Sequence, residues 1–404
     1  MGKWRSCGLA CALLVLTVFN SIADAQQLGL TPGPNGTILK DGLPYRGIGV
    51  DYFDPFYRQI VNPSDTSYVA GFQALGQHDI PFVRFSATAY YPAELSLYQT
   101  NKTEYFRRMD GVVQAAQQAG VGLIPSMFWT YWAVPDLVGE HMDQWGNSNS
   151  QTRQFMRNYV TDFVTRYKDS PAIWGWEFGN EFNLNANLPN GMNFLPPVNP
   201  SEGTPTSRTS ADLLTHDEIR SAFTDFSNLV HSLDPHGRII ETGDSAIRAE
   251  AWHNLNQNNF QTDTLAEQLQ MLGDDNPANI NTISTHIYND DIPRLAELAQ
   301  LAQQLGKPMF VGEFGVSTNQ PNQQQQFEAL LQSIEQNNVS LAAAWVYDSP
   351  YDPDYSMTYG NSLAYELADI EAANLAISPE PGMGLFVCVI SGLLLLLRRR
   401  RLGA

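Results

Sequence analysis

Two glutamates stand where acidic side chains are hardest to place. The run Trp174-Gly175-Trp176-Glu177-Phe178-Gly179-Asn180-Glu181 closes on Asn-Glu, and Pro308-Met309-Phe310-Val311-Gly312-Glu313-Phe314-Gly315 carries Glu313 among apolar neighbours. An isolated buried charge is very costly, so neither acid belongs in such a run without a partner. A structural ion pair is a sufficient reason for either one alone. Two at matching positions, one of them preceded by Asn, point instead to a shared task. If they converge in a partly buried site, one carboxyl is driven towards its neutral form while the other stays ionised. Glycosidic cleavage has that requirement: one acid protonates the leaving oxygen, and one carboxylate meets the oxocarbenium-like carbon.

Convergence has to be imposed by the elements that carry the two acids. Apolar runs rich in Ile, Val, Phe and Gly recur at 45–53, 80–88, 121–129, 173–182, 238–244, 280–288, 308–316 and 341–348. They are nearly continuous rather than alternating, as expected of strands buried on both faces. Amphipathic helical patterns fall between them at 103–118, 152–167, 215–233, 264–272, 292–305 and 323–337, with stops such as Gly120, Gly306 and Asn338. Eight strands alternating with helices predict an α/β fold, a (β/α)8 TIM barrel, whose chemistry sits where strands end and loops begin. An open doubly wound sheet would show a Gly-rich phosphate turn after its first strand, and none is present. The longest interruption, 184–209, is rich in Asn, Pro and Gly and reads as a long loop over the barrel mouth.

The Trp-Glu-Phe-Gly-Asn-Glu and Val-Gly-Glu-Phe-Gly segments resemble the strand-four and strand-seven signatures of clan A glycoside hydrolases, above all family 5, which includes cellulases and mannanases. Phe82-Val83-Arg84-Phe85 matches the family's strand-two arginine, His286-Ile287-Tyr288 its His-x-Tyr, and Trp345 its tryptophan platform under the sugar. The resemblance covers nearly all of the chain between its two ends. It implies Glu181 as acid/base and Glu313 as nucleophile in a retaining double displacement, with carboxyls about 5–5.5 Å apart. Each supporting residue also has a physical task. Arg84 holds Glu313 ionised through charge-assisted hydrogen bonds, and Tyr288 donates to the same carboxylate. Asn180 offers an amide to the sugar 2-hydroxyl, and His286 belongs to the surrounding polar network. Glu177 shares a strand face with Glu181 and reads as a supporting carboxylate.

Many cellulose-cutting family members carry a histidine after strand three. Here Ser126-Met127-Phe128-Trp129-Thr130-Tyr131-Trp132 has none and is closer to the mannan-degrading branches. Sugar C–H faces stack on aromatic rings, so Trp129, Trp132, Trp252, Trp345 and Tyr347 are candidate platforms, while Trp174 and Trp176 read as core. The acidic stretch 348–355, with Asp348, Asp352 and Asp354, reads as a solvated loop; no metal and no cofactor is expected.

Composition narrows the partners. The 404 residues carry 23 basic and 42 acidic side chains, a net charge of −19, which argues against nucleic acid. Residues 1–25 read as a signal peptide: Lys3 and Arg5, an apolar run, then Ala23-Asp24-Ala25. Residues 379–404 begin Pro379-Glu380-Pro381, continue apolar from 382 to 397 and end in Arg398 to Arg401. That order resembles the PEP-CTERM sorting signal and implies a transient membrane segment cut by a sorting protease, with secretion or cell-surface display. Removing net +1 with the first segment and net +3 with the last leaves −23 on the hydrolase domain, 26–378. Cys7, Cys11 and Cys388 all leave with the ends, so a disulfide, a thiolate metal site and a cysteine nucleophile are excluded from that domain. The expected partner is a neutral polysaccharide or oligosaccharide of β-mannan or β-glucan type, acted on by a monomer. Two other readings stand beside it: an exo-glycosidase or transglycosylase on the same fold, set by loops such as 184–209, and a non-catalytic cell-surface carbohydrate-binding protein. Degenerate barrels of that kind usually lose a carboxylate or its arginine, and here all are present.

Overall fold

A computed structural model describes residues 27–289 and 291–377. The segments read as signal peptide and sorting tail lie outside the described residues. Among those described, no helix is long and apolar enough to cross a membrane.

Eight parallel strands make the barrel: β1 Gly47–Asp51, β2 Phe82–Ser86, β3 Gly122–Phe128, β4 Gly175–Gly179, β5 Ile239–Glu241, β6 Ile283–Tyr288, β7 Met309–Gly315 and β8 Leu341–Ala344. They pair in the order β5-β4-β3-β2-β1-β8-β7-β6. The seam between β5 and β6 is closed by one side chain. Asn281 Oδ1 accepts from Ile240 N at 2.8 Å, and the Asn281 and Thr282 amides donate to the Ile240 carbonyl at 3.0 and 3.3 Å. All eight expected strands are present, each shorter than its apolar run because the run continues into the loop that follows.

The six expected helices are present within a few residues, and their caps explain their starts. Thr215 and Thr264 are not the first helical residues but N-caps, each accepting from the amide three residues on and receiving Glu218 or Glu267 in return. Further helices at Ser67–Gln77 and Ala364–Ile377 complete the outer ring, and short ones at Pro55–Val61, Pro92–Thr100, Ala133–Val138 and Ala251–Gln257 sit in the loops. These were not visible as periodic segments. Most are short, Ser67–Gln77 carries internal Gly71 and Gly76 that dilute the pattern, and Ala364–Ile377 spreads its apolar residues round the helix instead of along one face.

An unexpected element seals the barrel floor. Antiparallel strands Leu30–Pro32, Ile38–Lys40 and Leu43–Tyr45 lie beneath the strand starts, and Leu30 N donates to Trp174 O at 2.8 Å. Leu30 and Ile38 pack with Phe82, Ile124, Trp174, Ile239, Phe310 and Leu341 in a separate apolar cluster. Three-residue strands are too short for period-two reading. The available signal was the hairpin dipeptide Asp41-Gly42, whose φ values are 52° and 75°. The apolar stopper confines polar side chains to the opposite end. Ile38 is fully buried, so Ile38→Ala is expected to cost about 2–5 kcal/mol in denaturant-unfolding stability while leaving the geometry of the far end of the barrel unchanged.

Candidate active site

The strands end in side chains that need one another. Arg84, on β2, is fully buried. Its Nε donates to Glu177 Oε2 at 2.7 Å, Nη1 to Glu313 Oε1 at 2.7 Å and to Asp51 Oδ1 at 3.1 Å, and Nη2 to Asn180 Oδ1 at 2.7 Å. A planar guanidinium with five N–H donors can serve four acceptors at fixed angles, which an ammonium cannot. The Trp129 ring lies over it, 4.8 Å from the guanidinium carbon to the ring centroid.

Glu313 owes its aim to a local irregularity of β7. The register against β6 shifts between Val311 and Glu313, and against β8 between Val311 and Phe314. A bulge of this kind re-aims the side chain that follows it. One Glu313 oxygen accepts from Arg84, and the other accepts from the Tyr288 hydroxyl and lies 3.5 Å from His286 Nδ1. Burial, and then the Glu313 charge, push the Tyr288 phenol far above its ordinary pKa, so it remains a donor.

Glu181 is placed by strained backbone. It follows β4 with φ 55° and ψ 34°, a left-handed conformation uncommon outside glycine, and its amide donates to Gly243 O at 2.9 Å. Gly243, at φ 74°, permits that approach: a Cβ there would stand 1.8 Å from Gly179 O. Glu181 Oε1 lies 2.9 Å from His286 Nδ1. Acceptor atoms of Glu181, His286 and Glu313 all fall within 4.8 Å of one another, so the two carboxyls do face each other.

The electrostatics differ from the expectation that mutual repulsion would raise one of these two acids. Burial acts upward on Glu181, but the hydrogen bond and charge of His286, then Arg84, outweigh it and hold its pKa below the ordinary value. The raised acids lie deeper. Asp51 is pushed well up, by burial first, with Arg84 opposing and Glu313 and Glu177 adding. The like-charge conflict is displaced from the facing pair onto the layer beneath.

Beside the carboxyls, Trp129 and Trp345 form an aromatic floor to the cavity, and the buried Phe53 packs against both. Their centroids are 5.2, 5.7 and 6.2 Å apart and their planes within 14–25°. Trp345 Nε1 is tied to Asp352 Oδ2 at 2.7 Å. Trp129, Asn180, Glu181, Tyr288, Glu313, Trp345, Asp352 and Tyr355 line a cavity of about 420 Å³.

Every site residue expected from the sequence is therefore in one place: Arg84, Trp129, Asn180, Glu181, His286, Tyr288, Glu313 and Trp345. Three aromatic candidates are not. Trp132 packs on Tyr131, Trp252 on His253, and Tyr347 on Tyr52 in the core. The acids of 348–355 have separate partners: Asp348 pairs with Arg58, Asp352 with Trp345, and Asp354 with Asn319. A second group close enough to share a cation, His253, Asp263 and Glu267, spends its acids on helix caps. Asp51, Phe53, Glu241 and Tyr355 were missed. Asp51 ends the apolar run Gly47–Asp51, so the reasoning that singled out Glu313 would have found it.

The cellulase (glycosyl hydrolase family 5) model matches residues 58–349, and the chain belongs to that family. Among curated relatives, it is 28% identical over 149 residues to a probable mannan endo-1,4-β-mannosidase C of Aspergillus terreus, covering 35% of this chain and 33% of that protein. It is also 28% identical over 180 residues to a mannan endo-1,4-β-mannosidase F of Aspergillus fumigatus, covering 37% and 40%. The chain thus spans well under half the length of these relatives. Among solved structures, an endo-1,4-β-mannanase from Rhizomucor miehei superimposes with a TM-score of 0.64 at 16% identity, covering 87% of this chain and 100% of that one. At that identity the likeness establishes the barrel.

His286→Ala removes the hydrogen bond and charge that hold Glu181 down and leaves burial to act. The Glu181 pKa is expected to rise, read by carbon-13 titration of its carboxyl; an unchanged or lower value would contradict the assignment of cause.

Proposed function

We propose that the protein is a retaining β-glycoside hydrolase acting on a mannan-type polysaccharide, with Glu313 as nucleophile and Glu181 as acid/base. The observation that carries this is the facing carboxyl pair with unequal partners. Glu313 is clamped by Arg84 and Tyr288, which keep an anionic oxygen ordered, whereas Glu181 touches His286, a group able to hold or release a proton. A contact within 4.8 Å suits the close spacing of retaining enzymes rather than the wide spacing that admits a water between the carboxyls.

The steps follow from the partners. A sugar lies with its C–H face on the aromatic floor, and the Asn180 amide, its oxygen already held by Arg84, turns its N–H groups to the 2-hydroxyl. The Glu181 side chain is 30% exposed in the free protein. Covering that edge disfavours its charge, so Glu181 takes up a proton from solvent as the sugar binds and carries it to the departing oxygen. Glu313 attacks the anomeric carbon as Glu181 protonates the departing oxygen, giving a glycosyl ester on Glu313. Glu181, now anionic, takes a proton from water, which attacks the same carbon and frees Glu313.

Support for mannan comes from the mannosidases among the relatives, from the aromatic segment after β3, and from the floor itself. The reading extends to the chain ends: residues 1–25 direct export, and 379–404 are removed by a sorting protease at the surface. The proposal is for a monomer.

Glu313→Ala is expected to abolish turnover of an activated aryl β-mannoside, with azide restoring it as the α-glycosyl azide. Glu181→Ala should be rescued by azide to the β-product. The reverse pattern would exchange the two roles, and rescue of neither would remove the mechanism. Product profiles on mannan, glucomannan, cellulose, mixed-linkage glucan and xylan then settle linkage and endo or exo action.

A further inference from the structure

Beneath the facing carboxyls lies an acid that the steps above do not use. Glu241 ends β5 and is Cα partner to Glu177 on β4; both are fully buried. Glu177 gives one oxygen to Arg84 Nε, and its other oxygen has no hydrogen-bond partner. Neither Glu241 oxygen has a well-formed one among the described residues; its polar neighbours are the Ser284 hydroxyl on β6 and the Glu177 carboxyl. The Arg84 contacts go to Asp51, Glu177, Asn180 and Glu313, and none of them reaches Glu241. The groups that act on Glu241 are Glu177 on β4, Arg84 on β2 and the Ser284 hydroxyl on β6.

We propose that Glu241 is a positioning acid that keeps its proton and shares it with Glu177, so that Glu177 holds Arg84 in the orientation that aims Glu313 and Asn180. Two unpaired carboxylates facing each other without water would each bear an uncompensated charge, and one proton between them removes the conflict. Burial, then the Glu177 charge, raise the Glu241 pKa well above the ordinary range against the pull of Arg84. The sign follows. The folded protein retains a proton that the unfolded chain surrenders once pH passes the ordinary carboxyl range. Stability is therefore fully present at low pH and declines as pH rises towards the folded value. Past that value Glu177 faces a second negative charge, and Arg84 is drawn towards the pair and away from Glu313.

The catalytic consequence rests on the hydrolase reading; the stability consequence does not. Glu241→Gln replaces the acid O–H by an amide N–H that cannot be lost. It is expected to keep wild-type kcat near neutral pH, extend the alkaline limb of kcat/KM to higher pH, and flatten the decline of Tm with rising pH. Glu241→Leu removes the donor, and kcat should fall about ten- to a hundred-fold, the scale set by misplacing reacting groups, with KM little changed. Superimposable Tm and activity profiles for Glu241→Gln and wild type would overturn the proposal, as would full kcat in a folded Glu241→Leu. If no glycoside is turned over by any form, the Tm profile still decides the protonation of Glu241 while the hydrolase reading fails on its own.

Discussion

One guanidinium, sealed from water among three carboxyl groups and an amide, is the constraint around which the upper half of the barrel is arranged. Arg84 makes ion pairs with Asp51, Glu177 and Glu313, at side-chain exposures of 0–5% throughout. Buried ion pairs contribute little net stability, because desolvating the charges offsets most of their attraction. What such a cluster supplies is direction. Each acceptor satisfied by Arg84 fixes the angle of the guanidinium for the others, and the last two in the chain, Asn180 and Glu313, face the cavity. Removing the cation would leave several like charges facing one another in the dry interior.

The same cluster explains how two glutamates in one cavity acquire different surroundings. Residue type does not distinguish them. Glu313 is held from two sides by Arg84 and Tyr288, while Glu181 sits on a left-handed backbone against the His286 imidazole at the open edge of the cavity. The excess negative charge is carried by Asp51 and Glu241, which burial drives towards neutrality. A barrel suits this division because its interior is layered. Apolar side chains from the N-terminal plug fill the bottom, the buried acids form the next layer, and the open groups lie on top. Stability and chemistry are thereby assigned to opposite ends of the same strands.

Family 5 membership and the superposition on a fungal mannanase at 16% identity fit this layering. Strand interiors need only apolar volume, so their sequences drift. The residues at the strand ends must hold angles as well as polarity, and these carry the recognisable segments.

Much was legible without coordinates. Eight near-continuous apolar runs can be buried on both faces only by a sheet covered all round, which leaves few folds. Glu181 and Glu313 betrayed themselves as charges in apolar surroundings, and Arg84, His286 and Tyr288 followed from resemblance. The floor hairpin escaped because its strands are shorter than any period, and Phe53 because one aromatic in an apolar run looks like core. Two matters were decided only by tertiary structure. Whether an aromatic ring faces sugar or core depends on neighbours distant in the chain, which is why Trp129 and Trp345 reach the cavity while Trp132, Trp252 and Tyr347 do not. Protonation depends on distances and desolvation among side chains from different strands. The chain alone therefore told which acids are present, and only closure of the barrel told which of them keep their protons.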